Sequence, residues 1–218
     1  MLNIFSSCTG LTSITIGNGV TAIGELAFDD CTNLTSVTIG NSVTSIGENA
    51  FFNCYQLIGV YITDMAAWCK IEFYDEGANT LYYAKKLYLN EELVTDLVIP
   101  DGTTKIGSYV FFAYASLTSV TIPDSVTSIG NYAFAYCGQL TIATIGKSVA
   151  SIGNSAFWDC TRLTSIYCKP TTPPTLYKDV FSGIASTATI YVPTKSVAAY
   201  KSATTWSSYS SMIVGFDF

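Results

Sequence analysis

Residues 11–33 read LTSITIGNGVTAIGELAFDDCTN and residues 34–56 read LTSVTIGNSVTSIGENAFFNCYQ, so two nearly identical units follow one another directly. The period is 23 residues, and further copies begin at Val94, Leu117, Leu140 and Leu163. A period of about 20 to 50 residues is the signature of a solenoid or a related repeat architecture. The chain must therefore be built from one structural unit used many times.

The start of each unit has the pattern of a half-buried β-strand. In the first copy Leu11, Ile14 and Ile16 point to one side, whereas Ser13 and Thr15 point to the other. A period of two places one set of side chains in a core and the other in solvent. We therefore predict one strand in each coil.

A corner and a second inward-facing piece follow the strand. Gly17-Asn18 in the first copy and Pro123-Asp124 in a later one are turn-forming pairs. Val20 and Ile23 then resume the apolar pattern, which predicts a short second strand.

The third part of the unit begins with a glycine and contains an Ala-Phe pair, as in Gly24 and Ala27-Phe28. We expect a short helical or 3₁₀ turn there that places the phenylalanine in the interior. One coil cannot bury these side chains alone, but stacked coils place Leu on Leu and Phe on Phe along a continuous core. The sequence thus predicts a β-rich solenoid with parallel strands.

One unit carries a family resemblance. Residues 117–139, LTSVTIPDSVTSIGNYAFAYCGQ, resemble the repeat of the BspA-like (Treponema pallidum type) leucine-rich-repeat proteins. The resemblance covers nearly the whole chain and implies a horseshoe-class leucine-rich-repeat solenoid. Its members are largely bacterial surface or secreted proteins, linked to attachment to host or microbial partners.

Two regions depart from the 23-residue spacing. The copy at Leu57 is followed by the next only at Val94, so this coil carries an insertion in which residues 64–70 form a plausible short helix. The pattern also fades beyond Cys168, and the resemblance implies a C-terminal cap of a strand and a helix, sealed by Trp206 and residues 213–216. We expect a single domain over 1–218, divided into a truncated coil (1–10), regular repeats (11–56), an irregular long repeat (57–93), regular repeats (94–168) and the cap (169–218).

Composition excludes several classes of protein. Charged residues make up 12% of the chain and hydrophobic residues 49%, with a mean hydropathy of +0.36, so disorder is excluded. No apolar run reaches the roughly 18 to 20 residues of a membrane span. The net charge of −6 would repel a phosphate backbone, so we expect no nucleic-acid partner.

The N-terminus carries no export signal, because the chain begins MLNIFSSC without a basic segment. Phe5 and Cys8 precede Phe28 and Cys31 by 23 residues, so the chain starts inside a coil. We expect a fragment of a longer cell-surface or secreted protein whose signal was removed or lies upstream.

Residue types that commonly serve in catalysis are either absent from the sequence or occupy positions that the repeat assigns to the core. The chain has no histidine, the commonest general base. Five of the seven cysteines obey the repeat, which predicts a ladder of reduced, buried thiols: Cys8, Cys31, Cys54, Cys137 and Cys160. Adjacent carboxylates such as Asp29-Asp30 accompany no catalytic motif. We expect no enzyme activity, no cofactor and no metal site.

The outward side chains of the strands form the first candidate binding face. Most are small hydroxyl residues such as Thr121 and Thr144, which could equally serve only to keep the strands soluble. Tyr61 and Tyr167 stand out, because amphipathic aromatics are enriched in binding hot spots.

The position after the buried phenylalanine is a second candidate, because Phe52, Phe112 and Trp158 occupy it. Partial exposure there would give a stacking platform for a sugar or a ridge for a protein. Alternatively, the rings fold back over neighbouring coils.

Three functions remain open. The resemblance favours an adhesion or protein-binding module for host extracellular matrix or a microbial surface. The exposed aromatics would support a glycan-binding module, and a uniform hydroxyl surface would indicate a passive spacer in a longer surface protein.

Overall fold

The computed structural model describes residues 4–218 and shows a solenoid of stacked coils. Each regular coil supplies a longer strand and a two-residue strand. In chain order the strands of the described residues are β1 (Ser13–Ile16), β2 (Ala22–Ile23), β3 (Ser36–Ile39), β4 (Ser45–Ile46), β5 (Gly59–Ile62), β6 (Glu72–Phe73), β7 (Leu87–Leu89), β8 (Glu92–Leu93), β9 (Asp96–Val98), β10 (Lys105–Ile106), β11 (Ser119–Thr121), β12 (Ser128–Ile129), β13 (Ile142–Ile145), β14 (Ser151–Ile152), β15 (Ser165–Cys168), β16 (Thr175–Leu176), β17 (Thr189–Pro193) and β18 (Ile213–Phe216).

Helices occur only in the irregular repeat and at the C-terminus of the described part of the chain. They are α1 (Met65–Trp68), α2 (Thr80–Ala84), α3 (Val197–Ser202) and the 3₁₀ helices Thr194–Ser196 and Trp206–Met212. The short helix predicted over residues 64–70 is confirmed as α1, whose first turn is capped by the Asp64 carboxylate accepting from the Ala67 N–H at 3.0 Å. Within residues 4–218 no helix has the length and apolarity needed to cross a membrane.

The strands stack in parallel with the register that the repeat predicts. Ser13 pairs with Ser36 in the first two coils, and Ser119 pairs with Ile142 further along, a shift of one repeat in each case. The longer strands form two sheets, β1-β3-β5-β7-β8 and β9-β11-β13-β15-β17-β18, and the short strands form β2-β4-β6 and β10-β12-β14-β16. The leucine-rich-repeat solenoid expected from the sequence is therefore confirmed.

The third side of each coil differs in one detail from the expected helical or 3₁₀ turn. It is a series of turns in which a left-handed residue stands on either side of the Ala-Phe pair, for example Leu26 (φ 52°) and Asp30 (φ 56°). This geometry lets the N–H of Leu26, Phe28 and Asp30 donate to carbonyls of the next coil at 2.8–3.0 Å. In a helix these N–H groups would donate to carbonyls of their own coil. Here their hydrogen bonds connect neighbouring coils instead.

The core is a set of columns that run along the solenoid. The rings of Phe111, Phe134 and Phe157 are stacked with centroids 5.1–5.2 Å apart, and all three are fully buried. In the cysteine column beside them, the Cys160 thiol donates to the Phe134 carbonyl of the preceding coil at 3.1 Å. The seven cysteines are free, and only Cys8 is less than fully buried.

The C-terminal cap closes one end of this core. Trp206 is buried and donates through Nε1 to the Pro174 carbonyl at 2.7 Å, as its predicted sealing role requires. The expectation that residues 213–216 complete the seal holds for Ile213, which is buried, and is wrong for the three residues after it, which are exposed. Strand β18 pairs with β17 and has one side on the surface, so Val214 and Phe216 are exposed.

The irregular repeat interrupts both sheets. Strand β7 turns into β8 through Asn90 and Glu91, which have φ of 50° and 70°, and the resulting hairpin separates β7 from β9. The short strands β6 and β10 are likewise not paired. Other contacts join the coils there. The Gly107 N–H donates to the Cys69 carbonyl at 2.8 Å, and the buried Tyr114 hydroxyl donates to the Val94 carbonyl and accepts from the Leu87 N–H at 3.4 Å.

Candidate functional site

The outward face of the six-stranded sheet brings three of the predicted binding residues together. Thr121, Thr144 and Tyr167 occupy adjacent positions of one cross-strand row, because β11, β13 and β15 pair in register. Thr121 is exposed, whereas Thr144 and Tyr167 are half-buried. The row therefore forms a continuous surface from the middle of the solenoid towards the cap.

This row ends in a cluster of aromatic side chains. Tyr167 stacks on Tyr191 with ring centroids 4.7 Å apart and planes at 12°. Phe216 packs edge-on against both tyrosines at 5.5 and 5.6 Å, and Phe218 packs against Phe216 at 5.1 Å. We call these four residues the C-terminal aromatic patch.

Sequence reasoning found only Tyr167 of this patch. Tyr191 follows Tyr167 by 24 residues, and it keeps the alternate outward position within the strand TIYVP. That alternation was the available signal. Phe216 and Phe218 lie beyond the repeats, where no period indicates which way a side chain points.

Tyr61 lies apart from the other predicted residues, on the five-stranded sheet. Its ring stacks on Tyr88 of β7 at 4.8 Å, so this sheet carries an aromatic pair of its own. A Cβ at Gly59 would lie 3.0 Å from the Tyr88 ring and 3.2 Å from the Tyr61 ring, so the pair leans over the glycine.

The three aromatics after the buried phenylalanine have different surroundings. Phe52 is 43% exposed, whereas Phe112 is only 2% exposed, so the partial exposure predicted for Phe112 is wrong. The rings of Tyr109 and Tyr136 cover Phe112, and the centroid of each lies 5.5 Å from the centroid of the Phe112 ring. Trp158 is half-buried, with its ring 4.9 Å from Tyr136. The alternative that these rings fold over neighbouring coils therefore holds for Phe112.

The threonines fall into two groups. At the start of several units a threonine hydroxyl donates to a carbonyl of the preceding coil, as Thr118 and Thr141 do at 3.0 Å. Within residues 4–218 the hydroxyls of Thr121 and Thr144 form no such bond. The first group ties coils together, whereas the second leaves its hydroxyls available on the surface.

Comparison with known families identifies the repeat. The family model of the BspA type leucine-rich-repeat region matches residues 2–75 and 83–208, in six copies. The chain belongs to this family. A comparison with curated proteins finds no match.

Solved structures similar to this BspA-type chain include the leucine-rich-repeat protein of Treponema pallidum, with 24% identity, a TM-score of 0.44 and coverage of 84% of this chain and 69% of that one. A leucine-rich-repeat protein from Bacteroides ovatus has 22% identity and a TM-score of 0.47, covering 86% of this chain and 57% of that one. A leucine-rich cell surface protein from Faecalibacterium prausnitzii has 20% identity and a TM-score of 0.38, covering 95% and 83%. The chain thus spans little more than half of the Bacteroides protein.

The surroundings of several titratable groups of this BspA-type chain shift their pKa values. Burial raises the pKa of the Cys54 and Cys160 thiols to about 12, so both are protonated at neutral pH. On the sheet face the pKa of Asp96 is lowered by hydrogen bonds from the hydroxyls of Ser119 and Thr118. Within the described residues no group of three Cys, Asp or Glu side chains is placed to hold a metal ion.

Proposed function

We propose that this chain is a cell-surface or secreted module that binds a protein partner through the C-terminal aromatic patch. The observation that carries the proposal is the continuity of Tyr167, Tyr191, Phe216 and Phe218 on an open sheet face. Phe216 is 40% exposed and Phe218 is 52% exposed, so the cluster offers apolar area to a partner.

The chemistry of the patch favours a protein ligand. Tyrosine and phenylalanine are enriched at the cores of protein interfaces, where burial of their rings supplies much of the binding energy. The neighbouring hydroxyls of Thr121 and Thr144 provide a polar rim along the same row. The family and the surface location of its Faecalibacterium neighbour support a partner outside the cell, in host extracellular matrix or on another microbe.

The proposal is tested by measuring binding of the chain to purified collagen, laminin, fibronectin and a set of microbial surface proteins by surface plasmon resonance. We expect at least one of them to bind. Phe216→Ala and Tyr191→Ala should each weaken that binding by about tenfold or more, because each removes an aromatic contact.

Tyr177→Ala is the matched control, because Tyr177 is 53% exposed and lies outside the patch. It should bind as tightly as the unmodified chain. Equal affinities for all three variants would refute the patch as the binding surface. Failure of every probe to bind would favour the passive-spacer hypothesis.

A further inference from the structure

A groove of about 550 Å³ lies where the irregular repeat meets the next regular coil. It lies on the short-strand side of the solenoid, at the place where β6 and β10 do not pair. Its walls come from the coils before the break, through Glu72 and Tyr74, and from the coils after it, through Tyr109 and Tyr132. The volume is within the range of about 300 to 1,000 Å³ that is common for small-ligand sites.

Tyrosines dominate the apolar part of this groove. Tyr74 is 68% exposed, and Tyr109 stacks on Tyr132 with centroids 4.9 Å apart and planes at 15°. In the described part of the chain none of the three phenolic hydroxyls forms a hydrogen bond with another residue. The groove therefore combines aromatic surface with free hydroxyl donors and acceptors.

The polar groups of the groove balance in charge. The Glu72 carboxylate pairs with the Lys105 ammonium at 2.6 Å and accepts from the Ser108 N–H at 3.2 Å. Asn131 uses its Oδ1 to accept from the Asn154 N–H at 2.8 Å, which leaves its NH₂ group free to donate. With its one carboxylate neutralised, the lining has no excess charge to attract an ion.

Nearby carboxylates also disfavour an anionic ligand. The pKa of Tyr109 is raised by burial first and then by electrostatic interaction with Tyr132, Glu76 and Asp75. The two carboxylates, Glu76 and Asp75, would oppose a sulfated or sialylated ligand close to Tyr109.

We propose that this groove is a binding site for a neutral glycan. The apolar faces of sugar rings pack against the tyrosine rings, while their hydroxyls bond to Glu72, the Asn131 amide and the free phenols. A neutral polyhydroxyl ligand matches both the balanced charge and the mixture of aromatic and polar groups. The site lies outside the C-terminal aromatic patch, so protein binding and sugar binding can be tested independently.

The test is saturation-transfer NMR with maltose, cellobiose and N,N′-diacetylchitobiose as neutral probes, and with 6′-sialyllactose and a proline-rich peptide as competitors of other chemistry. We expect saturation transfer to the ring protons of at least one neutral disaccharide. Tyr74→Ala should weaken its binding about tenfold or abolish it, whereas Tyr74→Phe should retain the stacking and most of the affinity.

Tyr55→Ala is the matched control, since Tyr55 is 66% exposed, almost as much as Tyr74, and lies outside the groove. Circular dichroism should show unchanged folding for these surface variants. The proposal is overturned if no neutral disaccharide binds, if sialyllactose or the peptide binds in preference, or if Tyr74→Ala and Tyr55→Ala bind the sugar equally.

Discussion

At the scale of single residues, the second corner of each coil leaves no room for a side chain. A Cβ at Gly130 would lie 2.6 Å from the carbonyl carbon of Gly107 in the preceding coil. We therefore predict that Gly130→Ala lowers the free energy of unfolding by about 1–3 kcal/mol, the usual cost of overpacking. Urea denaturation measures this change.

Gly138→Ala is the control for that experiment, because a Cβ at Gly138 would meet no atom within 4 Å. Its stability should stay within about 0.5 kcal/mol of the unmodified protein or rise slightly, since alanine restricts the unfolded chain. Equal losses in the two variants would show that close packing of the coils at Gly130 does not set the effect.

At the scale of structural elements, the joint between the irregular repeat and the next coil depends on Tyr114. This residue stands 23 positions before Cys137, in the slot that cysteine fills elsewhere, and its hydroxyl bonds to Val94 and Leu87. Tyr114→Phe removes those bonds and leaves buried backbone groups without a partner, which costs about 1–3 kcal/mol. Chemical denaturation checks this value, and hydrogen exchange should quicken at Leu87.

Tyr177→Phe provides the comparison, because the exposed Tyr177 hydroxyl forms no hydrogen bond within residues 4–218. It should change the stability by less than about 0.5 kcal/mol. If Tyr114→Phe is equally harmless, the hydroxyl has no part in holding the two coils together.

Elements that follow the repeat could be predicted from sequence, and elements that interrupt it could not. The apolar positions of the regular units predicted strand, register and the phenylalanine column, because every regular copy gives the same signal. The β7–β8 hairpin carries no comparable signal: its turn is Asn90-Glu91, whereas the usual sign of such a turn is Asn-Gly. Glutamate seldom adopts a φ of 70°, so local propensity argued against the turn that forms.

Across the whole molecule, the candidate sites that follow the repeat could also be predicted from sequence, whereas those that depend on its interruption could not. Thr121, Thr144 and Tyr167 could be placed in one row from the period alone. The groove beside Tyr74 and Tyr109 lies at a break in the strand pairing, which depends on contacts between distant parts of the chain. The exposure of Phe112 was wrongly predicted for the same reason. Its ring is covered by Tyr136, and that cover is likewise a contact between coils.

The buried, protonated thiols, both in the cysteine column and outside it, make the stability of the whole solenoid depend on pH. Burial raises the pKa of Cys54, Cys69, Cys160 and Cys168 to about 12 from the ordinary 9.0. Between these values the unfolded chain loses thiol protons that the folded chain keeps, so stability is complete below about pH 9 and falls as the pH rises towards 12. The lowered pKa of Lys85 acts in the opposite direction, but it is one group against six thiols, since burial raises the pKa of Cys31 and Cys137 as well.

We therefore predict that the free energy of unfolding, measured with urea, is steady from pH 7 to 8.5 and declines from pH 9 to 10. Each fully buried thiol contributes at most about 1.4 kcal/mol per pH unit. Cys160→Ala removes one such group and should make the decline shallower. A flat profile up to pH 10 would mean that the thiols ionise as readily in the folded chain as in the unfolded one, and the tight stacking of coils around them would then be wrong.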